Sequence, residues 1–192
     1  LPSAKLGTST LILNKAYKQT GNVKIDSSTK TEKITNVKFE PKEDVLTYSF
    51  DAAKGAIVVS MKNDTANGTY SVVVTPEIKD GTVLKPVTLK VKVQDGDPRL
   101  TLKPTTVNLN RNYVEIIEVT PSFSAKAPFD ELELTGVKAV AQNADVAKIT
   151  YNAETDKFEV SLKSGAADGK YVYQLYPIFC SITSNTAAKL TI

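Results

Sequence analysis

The sequence contains no histidine and no tryptophan, and it has one cysteine and one methionine among its 192 residues. Without histidine, the chain cannot form the Ser-His-Asp or Cys-His arrangements of nucleophilic catalysis, and it lacks the commonest general base and metal ligand of proteins. Because Cys180 has no partner for an internal disulfide, the core alone must stabilise the fold. We therefore expect the chain not to be an enzyme.

A strong charge of one sign is also missing, because 24 basic and 21 acidic residues leave a net charge of only +3. Proteins that bind nucleic acids usually carry a clearly basic face, so we expect no nucleic-acid partner. No apolar run approaches the roughly 20 residues that cross a bilayer, which argues against membrane insertion by this segment. Residues Leu1 to Lys5 lack the apolar core of a signal peptide, so we expect a mature chain or an excised segment. We also expect the chain to be a monomer.

The second half of the sequence repeats the first. Asn67–Tyr70 is matched by Asp168–Tyr171, and the same offset of 101 residues aligns Val59–Lys62 with Val160–Lys163. The copies meet at a cluster of Asp, Gly and Pro, which interrupts regular structure. The sequence predicts a first domain over residues 1–94, a short linker over 95–98 and a second domain over 99–192.

Apolar residues recur at every second position within each copy, as in Tyr70, Val72 and Val74. Period two is typical of strands, and these runs are short, rich in β-branched residues and bounded by turn formers. About seven such strands in about 95 residues match the size of an immunoglobulin-like sandwich. The sequence therefore predicts an all-β chain of two tandem immunoglobulin-like β-sandwiches of about seven strands each.

A Gly-x-Tyr element before the sixth strand of each copy predicts a tyrosine corner. In this arrangement the ring packs in the core and the hydroxyl bonds back to the turn. We expect Tyr70 and Tyr171 to open the sixth strand of their copies, and Gly68 and Gly169 to adopt the positive φ of a tight turn. These four residues are predicted to have structural roles.

Four segments resemble, in their order, the signals of bacterial Ig-like domains of large cell-surface proteins: Pro104–Asn110, Val119–Ser122, Asn143–Ile149 and Ala167–Tyr171. The first copy shows the pattern more faintly. The resemblance implies an extracellular segment of a larger exported protein, in which such modules form stalks or present adhesive tips. We therefore expect a non-catalytic structural or adhesive module. The alternative is a carbohydrate- or host-protein-binding module that acts through loops or a sheet edge.

The linker is the best candidate for a metal site, because Asp95 and Asp97 could offer oxygen ligands to Ca²⁺. If the strands alternate in direction, further acidic side chains would face the linker, namely Glu40, Glu43, Asp44 and Asp64 from the first copy and Asp130 and Glu131 from the second. The alternative is a solvated Asp-Gly turn. No other cofactor is expected.

Aromatic residues near the end of the second copy suggest a surface for a carbohydrate or protein ligand. Tyr176 could join Phe179 and either Phe123 or Phe129 in a small platform, or these rings could pack against a neighbouring loop. Cys180 follows directly, and we expect its thiol to be at least half buried and unreactive because no basic neighbour can make it a thiolate.

Overall fold

The computed structural model describes residues 2–29 and 32–192. Over these residues the regular structure consists of β-strands, and no helix with the length and apolar character needed to cross a membrane occurs among them. The chain forms two compact units, Leu1–Gly96 (unit 1) and Asp97–Ile192 (unit 2). The division falls within residues 95–98, where the sequence predicts the linker.

Unit 1 is a sandwich of two four-stranded sheets. Its strands are β1 (Ala4–Leu6), β2 (Thr10–Asn14), β3 (Thr20–Ser27), β4 (Ile34–Pro41), β5 (Leu46–Asp51), β6 (Ala56–Met61), β7 (Gly68–Ile78) and β8 (Val87–Gln94). One sheet has the order β1-β3-β6-β5 and the other the order β2-β8-β7-β4. All neighbouring strands are antiparallel except β2 and β8, which run parallel from Thr10↔Lys90 to Asn14↔Gln94.

The first strand of unit 1 is shared between the two sheets. Its first part, β1, pairs with β3, whereas its second part, β2, pairs with β8 in the opposite sheet. Counted as one strand, it makes unit 1 a seven-stranded sandwich with the sheet composition of an immunoglobulin domain. The switch gives both sheets an edge partner from the same short segment.

Unit 2 repeats this plan with β9 (Thr101–Lys103), β10 (Ile117–Ser122), β11 (Leu134–Ala141), β12 (Ala147–Asn152), β13 (Lys157–Leu162), β14 (Val172–Phe179), β15 (Ile182–Thr183) and β16 (Ala188–Thr191). One sheet has the order β12-β13-β10-β9, and in the other β14 lies between β11 and the two short strands β15 and β16. Thr106 and Thr191 form a parallel bridge like the β2–β8 pairing. Even a register shift near the start of β4 recurs in β11.

Each unit has its own apolar core, and the alternation of buried and outward residues along the strands builds it. In unit 1 the completely buried apolar residues are Leu13, Ile57, Val59, Val72, Val74, Leu89 and Val91; in unit 2 they are Val119, Phe158, Val160, Leu175, Phe179 and Leu190. The structure thus confirms the predicted fold, two immunoglobulin-like sandwiches in tandem.

Candidate functional site

The two linker aspartates lie in different units and bind different partners. Asp95 Oδ2 accepts a hydrogen bond from Asn67 Nδ2 at 2.7 Å and lies 3.9 Å from Lys15 Nζ. Asp97 belongs to unit 2, where its Oδ2 accepts a hydrogen bond from the Thr186 hydroxyl at 3.2 Å. Each carboxylate is therefore tied to polar groups of its own sandwich.

A buried asparagine fixes the last residues of unit 1. Asn14 is completely buried at the end of β2, and its Oδ1 accepts hydrogen bonds from the backbone N–H groups of Ala16 and Tyr17. Its Nδ2 donates to the carbonyl oxygen of Gly96 at 3.0 Å. The backbone N–H of Lys15 adds a bond to Gln94 O at 3.1 Å. Residues 94–96 are thus attached to unit 1 by its first strand, a role that the sequence pattern did not reveal.

Two of the acidic residues expected around the linker have salt-bridge partners within unit 1. Asp44 pairs with Lys62, and Glu40 pairs with Lys38 at 2.7 Å. Asp64 has a positive φ of 63° and serves as a turn residue. Among the residues that the structure describes, no three His, Cys, Asp or Glu side chains form a group that could hold a metal ion. A calcium site that includes Asp95 and Asp97 stays a prediction.

Both Gly-x-Tyr elements carry the hydrogen bond of a tyrosine corner. The Tyr70 hydroxyl donates to Ala66 O at 2.8 Å, and the Tyr171 hydroxyl donates to the equivalent carbonyl, that of Ala167, at 3.0 Å. Tyr70 lies within β7, whereas Tyr171 directly precedes β14. In each unit this bond joins the start of the sixth strand of the immunoglobulin plan, which is β7 in unit 1 and β14 in unit 2, to the loop before it.

The predicted role of Gly68 and Gly169 as positive-φ turn residues is wrong. The left-handed conformation before the tyrosine belongs instead to Asp64, with φ of 63°, and to Gly165, with φ of 80°. Gly169 matters because of close packing: a Cβ atom there would lie 3.1 Å from the Tyr171 hydroxyl oxygen and 3.2 Å from Cζ. At Gly68 the nearest atom, in the ring of Tyr70, would be 3.6 Å away, which is an ordinary contact.

Tyr173 connects the two sheets of unit 2 at the position where antibody domains have a disulfide cysteine. Its side chain is 1% exposed, and its hydroxyl accepts hydrogen bonds from the N–H groups of Val146 at 2.8 Å and Ala147 at 2.9 Å. The hydroxyl donates to Asp145 Oδ1 at 3.1 Å. In unit 1 the equivalent residue is Val72, and the buried Thr65 hydroxyl holds the same loop, lying 2.9 Å from Val45 O.

Ionisation supports the hydrogen bonds around Tyr173. Burial raises the pKa of Tyr173, so the phenol stays protonated well above neutral pH. The pKa of Asp145 is lowered chiefly by its hydrogen bond from the Lys163 ammonium, which lies 2.5 Å from Asp145 Oδ2. The hydrogen bond from the Tyr173 hydroxyl lowers it further. The carboxylate is therefore ionised, and the phenol has a proton to donate, throughout the physiological range.

The predicted aromatic platform does not form, because its members lie on opposite faces of β14. Tyr176 points outward opposite Lys138 of β11, whereas Phe179 is completely buried. Phe123 packs edge-on against Phe179, with ring centroids 4.8 Å apart. An odd spacing along a strand always separates two side chains in this way.

The prediction of a buried Cys180 thiol is also wrong, because Cys180 is exposed. Phe179 pairs with Ile182, so Cys180 and Ser181 form a two-residue turn between β14 and β15. Both have positive φ, 47° and 75°, as the tight turns of β-hairpins require. The turn therefore directs the Cys180 side chain to solvent.

A pocket that the sequence did not predict lies in unit 2, between the β10–β11 connection and the β12–β13 turn. It has a volume of about 670 Å³ and is lined by Pro121, Ser122, Phe123, Ala125, Leu132, Glu133, Leu134, Thr135, Tyr151, Ala153 and Asp156. Aromatic and aliphatic side chains thus surround two carboxylates.

An exposed apolar loop in unit 2 also escaped prediction. Tyr113, Val114 and Ile116, between the parallel bridge and β10, are 69%, 106% and 61% exposed. At the matching positions unit 1 has the half-buried Tyr17 for Tyr113, Lys18 for Val114 and Thr20 for Ile116. The exposed aliphatic surface of this loop therefore belongs to unit 2 alone.

No family model matches the sequence, and no curated protein matches it either. Among solved structures, domains 4 and 5 of the S-layer protein SbsC are similar at 14% identity and a TM-score of 0.48, covering 100% of this chain and 96% of that chain. Fibronectin(III)-like modules of Clostridium thermocellum CbhA are similar at 14% identity and a TM-score of 0.38, with coverages of 98% and 92%.

The D00–D0 domains of intimin are similar at 13% identity and a TM-score of 0.38, covering 100% of this chain and 98% of that chain. At these identities and TM-scores the likeness supports no inference about a ligand or an activity. The assignment of the fold rests on the strand order and the sheet pairing described above.

The two corner glycines predict different responses to alanine. Gly169→Ala should lower the stability of unit 2 by about 1 kcal/mol, because the new methyl group pushes the Tyr171 ring away from its hydrogen bond to Ala167 O. Gly68→Ala should change the stability of unit 1 by less than about 0.5 kcal/mol. Urea unfolding followed by amide NMR signals of each unit measures both. In a Tyr171→Leu background the Gly169→Ala effect should vanish; equal effects at the two glycines would contradict this account.

Removal of the Tyr173 hydroxyl should destabilise unit 2 far more than removal of the Tyr171 hydroxyl. Tyr173→Phe leaves the N–H groups of Val146 and Ala147 without their acceptor, at a cost of about 1–3 kcal/mol. Tyr171→Phe loses one hydrogen bond at an exposed site and should cost about 0.5–1 kcal/mol. The same urea titration compares them, and equal losses would contradict the role of the Tyr173 hydroxyl as the acceptor for two buried N–H groups.

Proposed function

We propose that this chain is a non-catalytic, extracellular module of a bacterial surface protein that bears load as part of a stalk or presents an adhesive surface. The sequence resemblance of Asn143–Ile149 and Ala167–Tyr171 to bacterial Ig-like surface domains supports the location. The repetition of one self-contained sandwich supports the structural role, since each unit buries its own core. Ionic groups such as Asp44 and Asp145 serve hydrogen bonds and ion pairs within the fold.

The observation that carries the load-bearing role is the parallel pairing of the first and last strands of unit 1. Thr10–Asn14 lies beside Val87–Gln94, and the ladder is extended by Lys90 N to Ser9 O at 3.0 Å and Lys15 N to Gln94 O at 3.1 Å. Tension between the start of the chain and the end of β8 slides these strands along each other. Evenly spaced parallel hydrogen bonds then share the load and must break together.

A second candidate function is ligand binding through loops, and copy-specific surfaces favour it. Val114 and Ile116 expose aliphatic surface where the matching loop of unit 1 has Lys18 and Thr20. A spacer has no need for such a difference, whereas exposed apolar side chains on one module are typical of interaction sites. The ligand class is a protein or a carbohydrate.

The direction of pulling tests the load-bearing role of unit 1 in a single-molecule force measurement. One handle is attached at the start of the chain, and the other at Lys92→Cys or at Lys85→Cys, in a Cys180→Ser background that leaves one thiol. Lys92 lies within β8 opposite Ile12 and loads the ladder up to that pair in shear, whereas Lys85 precedes β8 and opens the ladder one bond at a time. We expect a clearly higher unfolding force for the Lys92 attachment, because forced unfolding depends on the barrier along the pulling path.

Both attachment residues are exposed lysines of unit 1, so the two variants should have the same equilibrium stability. Equal unfolding forces in the two geometries would contradict the load-bearing role. Such a result would leave the adhesive alternative as the better account.

A further inference from the structure

The unit 2 pocket is built from aromatic rings that are held in place. Phe123 packs edge-on against the buried Phe179, with centroids 4.8 Å apart and an interplanar angle of 68°. Tyr151 packs in the same way against the buried Phe158, at 6.1 Å and 75°. Because these partners belong to the core, the two rings need little reordering to receive a ligand. A preorganised site of this kind loses less entropy on binding.

The charge of the pocket is negative. Among the described residues that line it, the charged side chains are Glu133 and Asp156, and both are acidic. Asp156 Oδ1 accepts a hydrogen bond from the Tyr151 hydroxyl at 2.6 Å. This bond, then burial and the charges of Asp156 and Glu133, raises the pKa of Tyr151 to about 12. The phenol therefore stays neutral, and the carboxylates remain uncompensated by any lysine or arginine in the lining.

Unit 1 has a pocket at the same place with different chemistry. When the two units are aligned by their strand pairings, Ser27 of unit 1 takes the position of Phe123, and Gly55 takes the position of Asp156. The unit 1 pocket is lined by three lysines, Lys5, Lys33 and Lys54, and by two acidic residues, Asp26 and Glu32, and no aromatic ring is among its described lining residues. The rings and the net negative charge of the lining are therefore specific to unit 2, although the fold around both pockets is shared.

We propose that the unit 2 pocket binds an arginine side chain of a protein partner. A guanidinium group can stack on an aromatic face and donate hydrogen bonds to carboxylates at the same time. Its aliphatic stem would contact Leu132 and Leu134, while Phe123 and Tyr151 receive the planar head beside Glu133 and Asp156. Apolar walls beside two carboxylates, with no lysine or arginine in the lining, fit a cationic side chain with an apolar stem.

A neutral sugar fits the same pocket less well. Sugar hydroxyls can donate hydrogen bonds to the two carboxylates, but a neutral sugar brings no positive charge to balance them, and the Tyr151 hydroxyl already donates to Asp156. The two carboxylates can only accept hydrogen bonds when ionised. The net negative charge therefore favours a cation over a carbohydrate.

NMR titration of the full 192-residue chain with blocked tripeptides tests the proposal. The probes are acetyl-Gly-Arg-Gly-amide and the same peptide with citrulline, which keeps the shape of arginine but has no charge. We expect saturable shifts at Phe123, Tyr151 and Leu134 with the arginine peptide, and about tenfold weaker binding of the citrulline peptide, from the loss of charge-assisted hydrogen bonds. The unit 1 pocket, followed at Ala53 and Gly55, should not respond.

Matched carboxylate variants separate the pocket from general surface charge. Glu133→Gln should weaken binding of the arginine peptide about tenfold. Glu154→Gln, at an exposed position on the β12–β13 turn outside the lining, should leave it unchanged. Asp156→Asn should in addition bring the pKa of Tyr151 down from about 12, which an ultraviolet titration of the phenol measures without any ligand.

Three results would overturn the proposal: equal affinity for the arginine and citrulline peptides, equal effects of Glu133→Gln and Glu154→Gln, or saturable binding of methyl glucoside without binding of the arginine peptide. The last would assign the pocket to a carbohydrate.

This inference deepens the ligand-binding candidate and does not depend on the load-bearing role. Failure of peptide binding would leave the load-bearing role of unit 1 untouched. Equal unfolding forces in the two pulling geometries would likewise leave the peptide-binding result untouched.

Discussion

Burial of one face of each sheet against the other is the interaction on which the rest of both units depends. Leu89 and its counterpart Leu190 are completely buried at the same position of the last strand. Full burial of such a side chain is worth about 1.5–3 kcal/mol, and no disulfide adds to this layer because Cys180 is the single cysteine. The switch of the first strand between sheets, the corner tyrosines and the pockets at the ends of the strands all require that the two sheets are already held together.

The ends of the sandwiches are where the two copies differ. Backbone groups there lack a strand partner, so side chains must satisfy them, and each copy uses its own set. Unit 1 uses the Thr65 hydroxyl to hold the loop at Val45, whereas unit 2 uses the Tyr173 hydroxyl to hold the equivalent loop at Val146. The same freedom allows the pocket beside Tyr151 and the loop at Val114 to diverge without a change of fold. Function in a repeated module can therefore change at the loops while the sheets are kept.

Period-two alternation made the fold predictable, because a strand with one buried face shows that face in its sequence. It could not predict contacts between distant segments. The hydroxyl of Tyr173, for example, bonds the N–H groups of Val146 and Ala147, which lie 27 and 26 residues earlier in the sequence. Gly169 was predicted to adopt a positive φ, whereas its actual constraint is the nearby ring of Tyr171, a contact that depends on the folded structure. The error about the aromatic platform was avoidable from the sequence, because Tyr176 and Phe179 lie at an odd spacing on one strand and therefore point to opposite faces.

The central claim is that each unit is stabilised by its own apolar layer, and paired core truncations test it most directly. Leu89→Ala and Leu190→Ala remove equivalent completely buried side chains, and each should cost about 2–5 kcal/mol in its own unit. Urea unfolding of the full chain, followed by amide signals of both units, should show less than about 0.5 kcal/mol of change in the other unit, as expected for independent sites. If either substitution destabilised both units equally, or neither unit at all, the account would be contradicted.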